Sequence, residues 1–255
     1  MAKWIRYEHQ GSEQFGTITD NVITPYSGDM FNNPQKDKGS INLDAVKLLT
    51  PSEPTKMIAL WNNYHELAKK NKFHTPATPL YLLKANSSFF PGNATIEHPS
   101  GYDGDVFYEG ELGIMIGRTA KNVPLSHAEE YIFGYTCIND VTGFAVLKED
   151  SAFDQWVRAK SYDTFGVFGP VVATGLDYND LKIVTRLNGE VVQQYPANDM
   201  MISPPNIVSK LSENMSLHPG DIICTGTSVG LGAMPRNSTI EVEINKIGVL
   251  KNTYK

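Results

Sequence analysis

Cysteine is scarce in this sequence, which contains only Cys137 and Cys224 among its 255 residues. Both lie within apolar segments, a setting typical of reduced core residues in a cytosolic protein. A disulfide framework is therefore excluded, and a cytoplasmic location is expected. No cluster of cysteine and histidine has the spacing of a zinc site, so zinc chemistry is not expected either.

Long apolar runs and basic clusters are also missing. No run approaches the ~20 apolar residues that a membrane helix needs, and residues 1–7 lack the apolar segment of a signal peptide. The formal net charge is -6, with the acidic residues scattered along the chain. The absence of a basic patch argues against nucleic acid as a partner. A hydrophobic content of 41% is sufficient for a sizeable core.

Short β-leaning runs separated by turn residues dominate the chain. Residues 1–50 are expected to form a small N-terminal β domain, and residues 51–255 the main domain, with Pro51 and Pro54 in the linker. The polar segment 32–40 is expected to be a loop. Many short strands and few helices predict a strand-rich α+β fold with a mixed or antiparallel sheet, and not a doubly wound nucleotide-binding fold.

Two local signals in the main domain are specific enough to test. Ser126 and Glu129 have the spacing of a capping box, which predicts a helix that stops at Gly134. Asn188-Gly189 supplies the positive φ angles of a type I′ turn and predicts a β-hairpin.

Three acidic residues stand out as candidate metal ligands. Glu109 and Glu111 are two residues apart on a predicted strand, so they share a face with Cα atoms roughly 6.5 Å apart. Asp140 lies near the end of a later predicted strand. Oxygen ligands of this kind suit Mg²⁺, Mn²⁺ or Ca²⁺ and leave about three coordination positions for water and substrate. The alternative without a metal is an ordinary strand whose polar face is exposed to water.

Five ordered blocks between residues 52 and 255 add a family resemblance. They are Tyr108-Glu109-x-Glu111-Leu112-Gly113, Gly134-Tyr135-Thr136-x-x-Asn139-Asp140, Trp156-x-x-Ala159-Lys160-Ser161-x-Asp163-Thr164-Phe165, Asn188-Gly189-Glu190 and Leu217-x-Pro219-Gly220-Asp221-Ile222-Ile223-x-Thr225-Gly226-Thr227. The sequence resembles the fumarylacetoacetate hydrolase family, in its acylpyruvate hydrolase and 2-hydroxyhepta-2,4-diene-1,7-dioate isomerase-like branch. The resemblance implies a roll of mixed β-sheet with few short helices, a homodimer, and Mg²⁺ or Mn²⁺ at the three acids.

The resemblance also implies roles for four further residues. Lys160 corresponds to an active-site lysine whose ammonium stabilises an enolate. His65 corresponds to a general base on a mobile lid. Gly226 and Thr227 belong to a loop that grips a substrate carboxylate. The alternatives that the residues alone leave open are a surface lysine at position 160, a solvent-facing histidine at position 65 and a simple turn at residues 226 and 227.

Among the departures of the sequence from the family pattern, three affect the expected catalytic and substrate contacts. Ala68 stands where many members pair the histidine with a glutamate. Phe144 and Leu147 replace an arginine and a glutamine that follow the metal-binding aspartate. The substrate therefore loses two expected polar contacts, for which Lys148 or Arg158 would have to compensate.

The leading hypothesis is a metal-dependent hydrolase that cleaves a C–C bond in acylpyruvate-type 1,3-dicarbonyl acids, such as fumarylpyruvate, through a metal-bound enolate. The first alternative is an isomerase or tautomerase of 2-hydroxydienoate acids, or a decarboxylase of 2-oxo acids, at the same site. The second alternative is a non-catalytic, metal-stabilised binding protein. All three imply a small-molecule ligand and none implies a membrane or nucleic-acid partner.

Overall fold

The computed structural model describes all 255 residues as a strand-rich fold with few short helices. The N-terminal strands are β1 (Lys3–His9), β2 (Ser12–Thr19), β3 (Val22–Asp29), β4 (Asn32–Lys36), β5 (Ile41–Asn42) and β6 (Lys47–Leu48). The later strands are β7 (Met57–Trp61), β8 (Leu80–Lys84), β9 (Phe89–Phe90), β10 (Thr95–Ile96), β11 (Val106–Tyr108), β12 (Gly110–Ile116), β13 (Ile132–Asp140), β14 (Thr142–Gly143), β15 (Gly166–Ala173), β16 (Lys182–Leu187), β17 (Glu190–Pro196), β18 (Ile222–Cys224), β19 (Gly232–Ala233), β20 (Ser238–Ile244) and β21 (Gly248–Tyr254). The α-helices are α1 (His65–Asn71), α2 (Trp156–Lys160) and α3 (Pro204–Asn214).

The largest sheet has 13 strands, ten of them in the order β4-β3-β2-β1-β15-β13-β12-β18-β7-β8. Within this order all neighbours are antiparallel except β18 and β7, and β9 also pairs in parallel with β15, so the sheet is mixed, as predicted. The N-terminal β unit is confirmed, and it joins the main sheet where Lys3 of β1 pairs with Ala173 of β15. The division into domains at residues 50 and 51 stays a prediction. Smaller sheets have the orders β10-β21-β20-β16-β17 and β14-β11-β19.

Strands β12 and β13 form the buried centre of the large sheet. All seven residues of β12 are buried, which explains why its sequence, apart from Glu111, does not alternate between polar and apolar residues. Gly134 allows β13 to approach β15, because a Cβ atom there would lie 2.4 Å from the carbonyl oxygen of Ala173. The antiparallel register pairs Gly110 with Asn139 and therefore places the start of β12 beside the end of β13.

Two local expectations are wrong. Residues Leu125–Tyr131 form a 3₁₀ helix without a side-chain cap, and Gly134 lies inside β13 instead of ending a helix. Pairing of β13 with two neighbouring strands outweighs the capping signal. The segment expected to be a loop contains β4, whose polar side chains and Pro34 suit the edge of a sheet.

The predicted hairpin is confirmed. Asn188 and Gly189 have φ angles of 51° and 89°, and Leu187 of β16 pairs with Glu190 of β17. None of the helices has the length and apolar character needed to cross a membrane.

Candidate metal and substrate site

Three buried carboxylates converge where β12 begins and β13 ends. Glu109 occupies the break between β11 and β12, Glu111 is the second residue of β12, and Asp140 is the last residue of β13. One carboxylate oxygen from each residue lies within 4.8 Å of the others. The backbone N–H of Asp140 donates to the carbonyl oxygen of Glu109 over 2.9 Å, which fixes the two chain segments together. The structure thus brings the three predicted metal ligands into one cluster.

Lys160 reaches this cluster from the end of α2. Its Nζ donates to Asp140 Oδ2 over 2.5 Å, to Thr142 Oγ1 over 2.9 Å and to Glu109 Oε1 over 3.0 Å. Burial lowers the pKa of Lys160, but the charges of Asp140 and the two glutamates raise it more, so the net shift is upward. The lysine is therefore a buried, protonated part of the site with all three N–H groups engaged.

A second lysine, Lys84, was not identified from the sequence. It ends β8, is 2% exposed and forms an ion pair with Asp140 Oδ1. Burial raises the pKa of Asp140, but Lys160 and Lys84 lower it further, and the result lies below the ordinary value. In this strand Leu83 is 42% exposed, whereas the lysine side chain is buried. The apolar character of the strand sequence does not indicate this arrangement, which depends on tertiary contacts.

The hydrogen bonding of Glu111 indicates whether a metal ion fits the cluster. Its Oε2 accepts a hydrogen bond from the N–H of Gly226 over 2.8 Å, while its Oε1 is buried without any hydrogen-bond partner. Burial and the neighbouring charges of Asp140 and Glu109 raise the pKa of Glu111 well above its usual value. An unpartnered carboxylate oxygen beside two further carboxylates fits a hard divalent cation with oxygen ligands.

A cleft of about 700 Å³ opens next to the cluster. It is lined by Leu60, Trp61, Asn62, Leu67, Asn71, Phe73, Glu109, Phe144, Lys148, Asp154, Trp156, Thr227 and Leu231. Glu109 connects the cleft to the carboxylates, so a small molecule in the cleft would lie beside the metal position. Leu147 instead packs into the hydrophobic core.

Gln193 of β17 is a further residue that sequence reasoning missed, and it fixes the loop that contains Thr227. Its Oε1 accepts from the N–H of Gly110 over 3.0 Å, and its Nε2 donates to Thr227 Oγ1 over 2.9 Å. The Thr227 hydroxyl donates in turn to the carbonyl oxygen of Gly110 over 3.1 Å. Thr227 therefore lines the cleft with its hydroxyl already engaged, and the N–H of Gly226 is engaged by Glu111.

His65 is the predicted site residue that the structure does not bring to the cluster. It is the first residue of α1, is exposed and does not line the cleft. Leu67 and Asn71 of the same helix do line it. At 3.6 residues per turn, His65 points about 140° away from the mean direction of those two side chains. Its catalytic role stays a prediction.

Comparison with known proteins places the chain in a family. Residues 56–255 match the family described as fumarylacetoacetate (FAA) hydrolase, C-terminal. The chain belongs to the fumarylacetoacetate hydrolase family. Residues 2–51 match a second family, described as Rv2993c-like, N-terminal.

Relatives in this family include both isomerases and hydrolases. An uncharacterised protein of Archaeoglobus fulgidus is 40% identical over 217 residues, which cover 85% of each chain. The structure of 5-carboxymethyl-2-hydroxymuconate delta-isomerase from Mycobacterium smegmatis is similar with a TM-score of 0.91 and 34% identity, covering 99% of this chain and 98% of that one. A fumarylacetoacetate hydrolase from Exiguobacterium antarcticum has a TM-score of 0.84 and 29% identity, covering 100% and 99%.

Replacing Glu111 by glutamine tests the repulsion within the cluster. The amide keeps an oxygen for Gly226 and removes a charge that two carboxylates repel, so Glu111→Gln is expected to raise the melting temperature in chelator. Each kcal/mol relieved corresponds to about 2–4 °C. Affinity for Mg²⁺ or Mn²⁺ is expected to fall at least about tenfold. Calorimetry measures both, with the exposed Glu190→Gln as control, and a lower melting temperature in chelator would contradict the interpretation.

Lys84→Met tests the second lysine. Asp140 would keep only one of its two cationic partners, so the metal-free protein is expected to lose about 3–5 kcal/mol of unfolding free energy. Because Asp140 Oδ1 becomes free, the stabilisation by added Mg²⁺ is expected to exceed that of the wild type. Chemical denaturation with and without Mg²⁺ measures both quantities. The surface variant Lys210→Met is the control, expected to change stability by less than about 1 kcal/mol.

Proposed function

We propose that this protein is a divalent-metal-dependent hydrolase that cleaves a C–C bond in acylpyruvate-type 1,3-dicarbonyl acids. The observation that carries the proposal is the buried carboxylate cluster, with its unpartnered Glu111 oxygen, beside a cleft of about 700 Å³. A structural ion alone would need no such cleft. Membership of the fumarylacetoacetate hydrolase family supports the same reaction class.

The carboxylates of Glu109, Glu111 and Asp140 would hold the ion, and their oxygen atoms suit Mg²⁺ or Mn²⁺, with Ca²⁺ sharing the preference. The bound ion would supply a Lewis acid and a template for the 2-oxo acid end of the substrate. Lys160 contributes its positive charge at short range, because its N–H groups are all engaged within the cluster. That charge stabilises the negative charge that develops on the substrate during cleavage.

Hydrolysis requires one water molecule per turnover. The water oxygen forms a bond to C4 of the substrate, the C3–C4 bond breaks, and its electron pair stays on C3. A proton then adds to C3 to give pyruvate, and the acyl part leaves as a carboxylic acid. We propose that the loop of Gly226 and Thr227 faces the substrate carboxylate. Gly226 also acts through Glu111, which its N–H orients.

We propose that His65 takes the proton from this water after α1 has turned toward the cleft. A neutral imidazole is suited to that step near pH 7. The helix has only seven residues, of which only Ala68 is buried, and it ends at Lys72 in a left-handed conformation. A short helix with little buried surface is expected to reorient at low energetic cost.

The isomerase or tautomerase reaction is the second candidate, together with decarboxylation of a 2-oxo acid. The position of His65 outside the cleft favours these reactions, because they need enolate stabilisation but no activated water. The similarity to the Mycobacterium smegmatis delta-isomerase supports the same alternative.

A product assay tests the proposed reaction directly. With Mg²⁺ or Mn²⁺, the protein is expected to release pyruvate and a carboxylic acid in equal amounts from acylpyruvates. Chelator is expected to stop the release, and the metal to restore it. Mass spectrometry of the products distinguishes the outcomes. Release of CO₂, or a spectral change without a change in mass, would replace hydrolysis by the second candidate.

His65→Ala tests the general base. Loss of water activation is expected to lower kcat for pyruvate release by about 10²–10⁴-fold. Metal affinity by calorimetry is expected to stay unchanged, because His65 does not contact the carboxylates. His74→Ala, which changes another exposed histidine, is the control. Unchanged turnover of His65→Ala would exclude the proposed role.

A further inference from the structure

We infer that the substrate of this cleft carries one carboxylate and an apolar tail, and does not carry a second carboxylate at its far end. This inference rests on the proposed function, which places the 2-oxo acid end of the substrate at the carboxylate cluster. It is argued from the residues that would surround the remainder of the substrate in the cleft.

The wall of the cleft is rich in aromatic side chains. The ring centroid of Trp61 lies 4.9 Å from that of Phe73 and 6.1 Å from that of Trp156. All three line the cleft together with Leu67, Leu231 and other apolar residues. Binding of an alkyl or aryl group against such a wall is favourable, because it removes apolar surface from water.

Phe144 lies at the junction between this wall and the carboxylates. It follows Thr142, whose hydroxyl donates to Glu109 Oε1 over 2.7 Å, with only Gly143 between them. Its ring packs against Phe107 with a centroid distance of 4.9 Å, and Phe107 precedes Glu109 by two residues. Substrate atoms that extend from the cluster into the cleft would therefore pass an aromatic ring.

The cleft offers no buried cation for a second carboxylate. Apart from Glu109, its charged lining residues are Lys148 and Asp154, which form an exposed ion pair of 3.3 Å in which the lysine side chain is 75% exposed. Arg158 does not line the cleft and pairs with Glu149. The remaining polar lining residues, Asn62 and Asn71 among them, are uncharged. A distal carboxylate inside the cleft would have to leave water without a buried charged partner, which is unfavourable.

The charge of the cluster matches one substrate carboxylate. Glu109, Glu111 and Asp140 with Lys84 and Lys160 leave one net negative charge. A divalent cation reverses this to one net positive charge, which a monocarboxylate neutralises. A dicarboxylate would leave an excess negative charge next to aromatic side chains.

Two matched pairs of compounds test the inference. The acids 2,4-dioxoheptanoate and 2,4-dioxoheptanedioate differ only in a terminal methyl or carboxylate group. With Mg²⁺, kcat/KM for the methyl compound is expected to exceed that for the diacid at least about tenfold. The same preference is expected in the binding of the uncleavable pair 2-oxopentanoate and 2-oxopentanedioate. Fluorescence of Trp61 and Trp156 and calorimetry measure this binding without turnover.

Phe144→Arg adds a cation at the junction. It is expected to lower the preference for the methyl compounds at least about tenfold, because the diacid then has a charged partner. Phe153→Arg is the matched control, since Phe153 is 71% exposed and does not line the cleft, and it is expected to leave the preference unchanged. If Phe144→Arg does not fold, the inference is tested by the wild-type protein alone, through the ratio of its affinities for 2-oxopentanoate and 2-oxopentanedioate.

Two of the possible outcomes distinguish this inference from the proposed function, and a third would overturn both. Equal or better binding and cleavage of the diacids would overturn the inference and leave the proposed function intact. Binding of 2-oxo acids without cleavage of either dioxo acid, but with the methyl preference, would support the inference and count against hydrolysis. Failure of every 2-oxo acid to bind in the presence of metal would overturn both.

Discussion

Electrostatic repulsion among three buried carboxylates, balanced by two buried lysines, is the interaction on which the site depends. Asp140 pairs with a lysine on each oxygen, whereas Glu111 keeps one oxygen without a partner. The lysines come from the end of β8 and the end of α2, so the balance requires four separate chain segments to meet. The two lysines compensate two of the three negative charges, and a divalent cation would change the remaining negative charge to one net positive charge.

The same network restricts how each residue can act on a substrate. The Lys160 ammonium, the Gly226 N–H and the Thr227 hydroxyl all donate hydrogen bonds within the protein. They hold the carboxylates and the loop in place before any ligand arrives, which is the preorganisation that electrostatic catalysis requires. Gln193 extends this arrangement by joining Gly110 to the Thr227 loop, so β17 supports a site to which it contributes no ligand.

The features that can be predicted from the sequence are those with a local or ordered signal. The spacing of Glu109 and Glu111 predicts a shared strand face, and Asn188-Gly189 predicts a hairpin because its turn requires positive φ angles. Lys84 and Gln193 have no such signal, because their importance arises from contacts with residues 56 and 34 positions or more away in the chain. The capping signal at Ser126 failed for the same reason, since strand pairing of β13 is a tertiary effect that local propensity does not contain.

The carboxylates proposed to support the reaction and the side chains proposed to select the substrate lie in different parts of the site. Two of the three carboxylates lie in β12 and β13, and the third lies in the break before β12, in the most buried part of the sheet, where a change of side chain disturbs strand pairing and charge balance together. The aromatic wall comes from Trp61 at the end of β7 and from Phe73, Phe144 and Trp156 outside the large sheet, and all four are partly exposed. Substitutions in the wall are therefore expected to alter what the cleft covers without changing the three carboxylates. Family membership accordingly specifies the carboxylate cluster, whereas the wall of this chain specifies the tail that it accepts.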